Sequence, residues 1–153
     1  MSSTQNSKVI KASPETIYKA LTEPDALAVW LAPGEMTGKV HNFDLQVGGG
    51  YEMSLYYPES ETASKGKTSA KDDRFTARFV ELSPPEKIVE AVIFDSDDPA
   101  FSGETIMEVK LEPVNSGTKV TFTFNNLPPG IKPEDNEEGT ESSLNKLAEY
   151  VES

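Results

Sequence analysis

Six strand-like stretches, most of them alternating apolar and polar residues, followed by one long helical segment, constrain this chain more than any other feature. Tyr51, Met53, Leu55 and Tyr57 alternate with Glu52, Ser54 and Tyr56, the period of a half-buried strand. Before them, from Met36, the period also becomes two. Phe43, Leu45 and Val47 alternate with polar residues until Gly48-Gly49-Gly50, a turn where positive φ costs little. Residues 74–82 put Phe75, Ala77 and Phe79 on one face, and Ser83-Pro84-Pro85-Glu86 turns the chain into a returning strand at 87–94. Residues 104–112 set Thr105, Met107, Val109 and Leu111 against Glu104, Glu108, Lys110 and Glu112. The connector 113–117 reads as a hairpin, and residues 118–125 carry Val120, Phe122 and Phe124 on one side. A sheet with one apolar face needs a cover, and residues 134–152 are the only element long enough to supply it.

That segment has an uneven face. Leu144, Leu147, Ala148 and Val151 form an apolar stripe at helical spacing, but its continuation through Thr140 and Glu137 is polar. Only its second half is expected to close on a dry core. The fold class that follows is α+β: a curved antiparallel sheet of about six to seven strands wrapped around the long C-terminal helix, an arrangement that commonly leaves a hollow.

The start of the chain adds a short strand at 8–12 and two short helices. Ser13 is placed as an N-cap, Pro14 as the first helical residue and Glu15 near the positive end of the dipole. Ile17, Ala20 and Leu21 make the apolar face. Pro24 starts the second helix, whose face is Leu27, Trp30 and Leu31, and Pro33-Gly34 ends it. Residues 1–153 read as a single domain with a flexible N-terminus at 1–7, and the polar stretch 58–73 as a long mobile hairpin loop.

Lys and Arg number 14 against 26 Asp and Glu, a net charge of −12. Such a surface repels phosphate backbones and anionic lipid, which argues against nucleic acid and membrane as partners. The acidity serves solubility or faces a basic protein partner. With no cysteine in the chain, disulfides, thiolate metal sites and a cysteine nucleophile are excluded. Nothing in the sequence resembles a signal peptide or a membrane span, so a cytoplasmic protein, monomeric or weakly dimeric, is expected.

Several motifs, taken in order, resemble one family: Ala12-Ser13-Pro14-Glu15 with Ala20-Leu21-Thr22 and Trp30; Phe43-Asp44 with Gly48-Gly49 and Tyr51; Glu81-Leu82-Ser83-Pro84-Pro85-Glu86-Lys87-Ile88-Val89; Ser116-Gly117-Thr118-Lys119-Val120-Thr121; and Gly139, Leu144 and Leu147. They are similar to the homologues of the Hsp90 ATPase activator's C-terminal domain, within the START and Bet v 1-like helix-grip superfamily. The resemblance implies the helix-grip fold over nearly the whole chain. Members often carry Gly-Trp in the last helix, where this chain has Gly139-Thr140. They also often carry tryptophans at positions matching Val92 and Phe94. Each departure puts a smaller side chain where the resemblance implies an indole, and for Thr140 the difference is several water volumes. If Thr140 faces inward, the hollow is wider or wetter near the start of the helix.

Candidate chemistry is sparse. His41 is the only histidine, so no multi-histidine metal site exists; it reads as a surface or strand residue, or as an acid/base only if it points into the hollow beside a carboxylate. Asp95-Ser96-Asp97-Asp98 lacks the spacing of a calcium loop and reads as a solvated acidic turn. Glu90 reads as a partly exposed residue at a strand edge or as a carboxylate inside an apolar hollow, where its pKa would rise. The expected cavity wall consists of Trp30, Phe43, Tyr51, Met53, Leu55, Phe79, Val92, Met107, Phe122, Thr140 and Leu144, residues that also read as core. Neither a cofactor nor a metal is implied. Three functions remain in play. The first is a binder of small hydrophobic or aromatic molecules. The second, implied by the resemblance, is a co-chaperone or stress-response partner. The third is a cyclase- or hydrolase-type enzyme using Glu90, His41 or a tyrosine.

Overall fold

The first helix forms where the sequence places its cap. Ser13 is extended (φ −74°, ψ 156°) and its hydroxyl accepts the backbone N–H of Thr16, so α1 (Pro14–Leu21) begins with one of its free donors satisfied. Pro24 opens α2 (Pro24–Trp30) in the same way, without a side-chain cap. α1 buries its predicted face, Ile17, Ala20 and Leu21; α2 buries Leu27 and Trp30 as predicted, together with Ala26, while Leu31 is its half-buried C-cap. These are placements in a computed structural model, which describes residues 2–31, 37–56, 72–94, 99 and 103–152.

Seven strands make one antiparallel sheet: β1 (Ser2–Ile10), β2 (Thr37–Asp44), β3 (Gly50–Tyr56), β4 (Asp72–Ser83), β5 (Lys87–Phe94), β6 (Glu104–Val114) and β7 (Gly117–Leu127). Their order across the sheet is β1-β7-β6-β5-β4-β3-β2. Consecutive strands from β2 to β7 are therefore neighbours, and β1 alone comes from a distant part of the chain. The long helix α3 (Pro133–Glu152) closes the apolar face, giving the α+β helix-grip arrangement.

The structure corrects the sequence at three places. Residues 2–7, expected as a flexible tail, belong to β1 and pair with β7 as far as Ser2 opposite Leu127. The alternation expected through Leu45 and Val47 stops at Asp44, and both side chains are exposed. A register shift between His41 and Asp44, with Asn42 at φ +50°, explains the break. It inserts an extra residue, so Val40 and Phe43, three apart, both pack toward the core. The third correction is Glu90. β5 lies between β4 and β6, not at an edge, and Glu90 is 3 % exposed. The loop expected at 58–73 lies outside the described residues except for the start of β4, as does the acidic turn at 95–98.

The Gly48–Gly50 turn is stitched to β4: Gly48 N–H donates to the Phe79 carbonyl and Phe79 N–H donates to the Gly49 carbonyl, each at 2.9 Å. Gly48 has φ +88°. A Cβ on Gly50 would lie 1.9 Å from the Ala77 carbonyl oxygen, so no other residue fits there.

Candidate functional site

α3 does not lie flat over the middle of the sheet. Its backbone packs closest to β1, α2 and α1, and its two halves are held differently. Leu144, Leu147 and Ala148 in the second half are buried in the core. The first half and the residue after it are tied by polar bonds: Thr4 donates its hydroxyl to Asn136 Oδ1, Asn6 Nδ2 donates to the Glu137 carbonyl at 3.4 Å, and Ser143 Oγ donates to the Leu31 carbonyl at 2.9 Å. Thr140 faces inward, buried, with its hydroxyl donating to the Asn136 carbonyl at 2.7 Å. Helix and sheet stand apart here, and the gap is a recess of about 220 Å³.

The sheet side of the recess is apolar, formed by Leu55, Phe75, Val92, Phe94, Phe122 and Phe124, with Leu31 and Ile131 beside it. The helix side supplies Asp135, Asn136, Gly139, Thr140 and Ser143. Of the residues expected on a cavity wall, Leu55, Val92, Phe122 and Thr140 are there. The others stand behind it. Trp30 is buried, donates Nε1–H to the Ala20 carbonyl at 2.9 Å and meets Phe122 edge-on at 6.0 Å, so it backs the wall and locks α2 to α1. Phe43, Tyr51 and Phe79 form a deeper aromatic cluster, with Phe43 stacked on Tyr51 at 5.6 Å. The cluster reaches the recess through Phe75 and Phe94. Met53, Met107 and Leu144 are buried core.

Phe75, Phe124 and Ser143 were absent from the expected wall, yet the signal was available. Phe124 follows Phe122 by two on a strand, and Ser143 follows Thr140 by three on a helix, so each shares a face with a residue that was named. Leu31, on the α2 face with Trp30, and Asn136, four residues before Thr140 on α3, carried the same signal; Ile131, in the loop before α3, had none.

Glu90 sits on the inner face of β5 between Ile88 and Val92, deeper than the recess wall. Tyr51 Oη donates to its Oε1 at 3.0 Å. Burial raises the Glu90 carboxyl to about pH 7, against the smaller downward pull of the Tyr51 hydrogen bond. Tyr51 is pushed up by burial and then by the neighbouring carboxylate. His41 lies on the other face of the sheet. Its Nε2 is 3.1 Å from Ser54 Oγ, which also accepts from Arg74 Nε. Glu90 and His41 therefore do not converge. Among the described residues no group of His, Asp and Glu is arranged to hold a metal, and no helix is long and apolar enough to cross a membrane.

Residues 11–152 match the family described as Activator of Hsp90 ATPase homolog 1-like protein. The chain belongs to that family. A crystal structure of a protein from Chromobacterium violaceum is 32 % identical, with 99 % of this chain and 97 % of that one covered and a TM-score of 0.87. A Rhodobacter sphaeroides protein (21 % identical, 97 % and 90 % covered, TM-score 0.78) shares the fold. So does an AHSA1-like protein from Aeromonas hydrophila (20 % identical, 99 % and 92 % covered, TM-score 0.73). No curated protein matches the chain. Val92, Phe94 and Thr140 are the positions where the sequence resemblance implies larger side chains. All three border this recess.

Proposed function

We propose that the protein binds a small hydrophobic or aromatic molecule in the recess between α3 and the ends of β3, β4 and β5. The observation that supports this most is that Val92 and Phe94 on the sheet side and Thr140 on the helix side, where the resemblance implies larger side chains, border the same recess. An apolar wall with a few polar groups on one side is the usual build of a small-molecule site. Fluorescence of the neutral two-ring probe 1-naphthylamine tests it. The probe should brighten saturably with the native chain and not with Thr140→Trp, whose indole fills the recess. Equal brightening with both proteins, at matched helix content, rules the recess out as the binding place.

A second reading draws on the family's description, which names an activator of the Hsp90 ATPase. On that reading the chain is a co-chaperone-like partner, and it should raise the ATPase rate of an Hsp90-type chaperone at micromolar concentration. No change in that rate argues against it. The enzyme reading is weaker: Glu90 and His41 lie on opposite faces of the sheet, and Tyr51, which does meet Glu90, does not line the recess.

A further inference from the structure

We infer that the recess selects by hydrogen-bond polarity: it takes aromatic molecules of one or two rings that carry a hydroxyl or amine donor, and turns carboxylates away. This rests on the ligand-binding reading and adds the ligand's chemical class. The polar side of the recess is a single helix face whose protons are already committed. Thr140 Oγ1 donates its only proton to the Asn136 carbonyl, and Ser143 Oγ donates its own to the Leu31 carbonyl. Each hydroxyl can then only accept from a molecule in the recess. The Asp135 carboxylate at the rim is a further acceptor. Asn136 is the exception, since its Oδ1 takes the Thr4 proton and its NH₂ remains a donor. Three acceptors thus face one donor.

Charge works in the same direction. The positive end of α3 would attract an anion, but Glu134 and Asp135 occupy its first turn. Lys132, just before the helix, is exposed and does not line the recess. A carboxylate entering here would lose water and meet acceptors, leaving its charge unpaired. Size narrows the choice further. An apolar cavity of about 150 Å³ holds benzene, so about 220 Å³ suits one ring or two fused rings. Phe75, Phe94, Phe122 and Phe124 offer those rings faces and edges to pack against.

The test compares 2-naphthol, naphthalene and 2-naphthoate at neutral pH, which share one ring system and differ in the polar group. Dissociation constants from isothermal titration should rank 2-naphthol tightest, by about tenfold or more over 2-naphthoate and severalfold over naphthalene. In Thr140→Val/Ser143→Ala, 2-naphthol should fall to the level of naphthalene while naphthalene itself is retained. Thr140→Ser, which keeps the acceptor, should preserve the native preference. If 2-naphthoate binds as well as 2-naphthol, or 2-naphthol no better than naphthalene, the polarity inference is overturned and the binding reading stands. If none of the three binds, the binding reading falls and takes the inference with it.

Discussion

Tyr51 and Glu90 come from strands two apart in the sheet and meet in its interior, where the hydroxyl–carboxyl contact is 3.0 Å. The carboxyl titrates near 4.5 when unburied and near 7 in the fold. Below about pH 4.5 both folded and unfolded chains hold the proton, so Glu90 adds no pH dependence. Between about 4.5 and about 7 the unfolded chain releases it while the folded chain keeps it, and stability falls as pH rises. Above about 7 the loss is complete, on the order of 3 kcal/mol at about 1.4 kcal/mol per pH unit. Urea denaturation across this window should therefore show the native chain weakening toward alkaline pH. Glu90→Gln, which has no charge to bury, should lack that component and be the more stable of the two at alkaline pH. Parallel curves would mean Glu90 does not titrate in the fold. Tyr51→Phe removes the one hydroxyl that serves the carboxylate and should cost about 1–3 kcal/mol, more at alkaline than at acid pH. A cost independent of pH would reduce Tyr51 to a packing residue.

The elements that are legible in the sequence are those specified locally. α1 and α2 follow from Ser13, Pro14 and Pro24, and β5 from the Pro84-Pro85 turn and the run after it. β1 is legible only at residues 8–10 and not before them. Its inward positions include Thr4 and Asn6, whose polarity is explained only by α3: Thr4 and Asn136 are 132 residues apart in the chain. The same bonds explain why the first half of α3 lacks an apolar stripe. It is held by hydrogen bonds at the sheet edge rather than by a dry contact, and the two halves should respond differently to mutation. Leu147→Ala removes a fully buried side chain and should cost about 2–5 kcal/mol of global stability. Thr4→Val should cost about 1 kcal/mol, and its main signature should be faster amide exchange over residues 136–141 with residues 144–151 unaffected. Uniform acceleration along α3 would show that the helix docks as one unit.

At the scale of the whole molecule, the chain is a seven-stranded wrap around a helix that seals tightly at its C-terminal half and stands off at its N-terminal half. The fold was readable because alternation, caps and turns carry it. The lining of the recess was readable in part. Thr140 and Val92 stood out as small residues in large places, and Leu31 and Asn136 share faces with named residues, but Ile131 joins the recess only through the docking of α3, which no local pattern encodes. Trp30, Met53 and Leu144 were expected on a wall and are core, because the hollow is confined to one end of the sheet. A second depression, of about 660 Å³, lies at the other end of β5 and is lined by Glu15, Glu81, Glu86, Lys87, Lys110 and Glu112 among others. It is the natural competitor for any ligand. Amide and methyl chemical-shift mapping with 2-naphthol separates the two. The account predicts saturable shifts at Leu55, Val92, Thr140 and Ser143. Shifts confined to the Lys87 and Lys110 end, or none at saturating ligand, would contradict it.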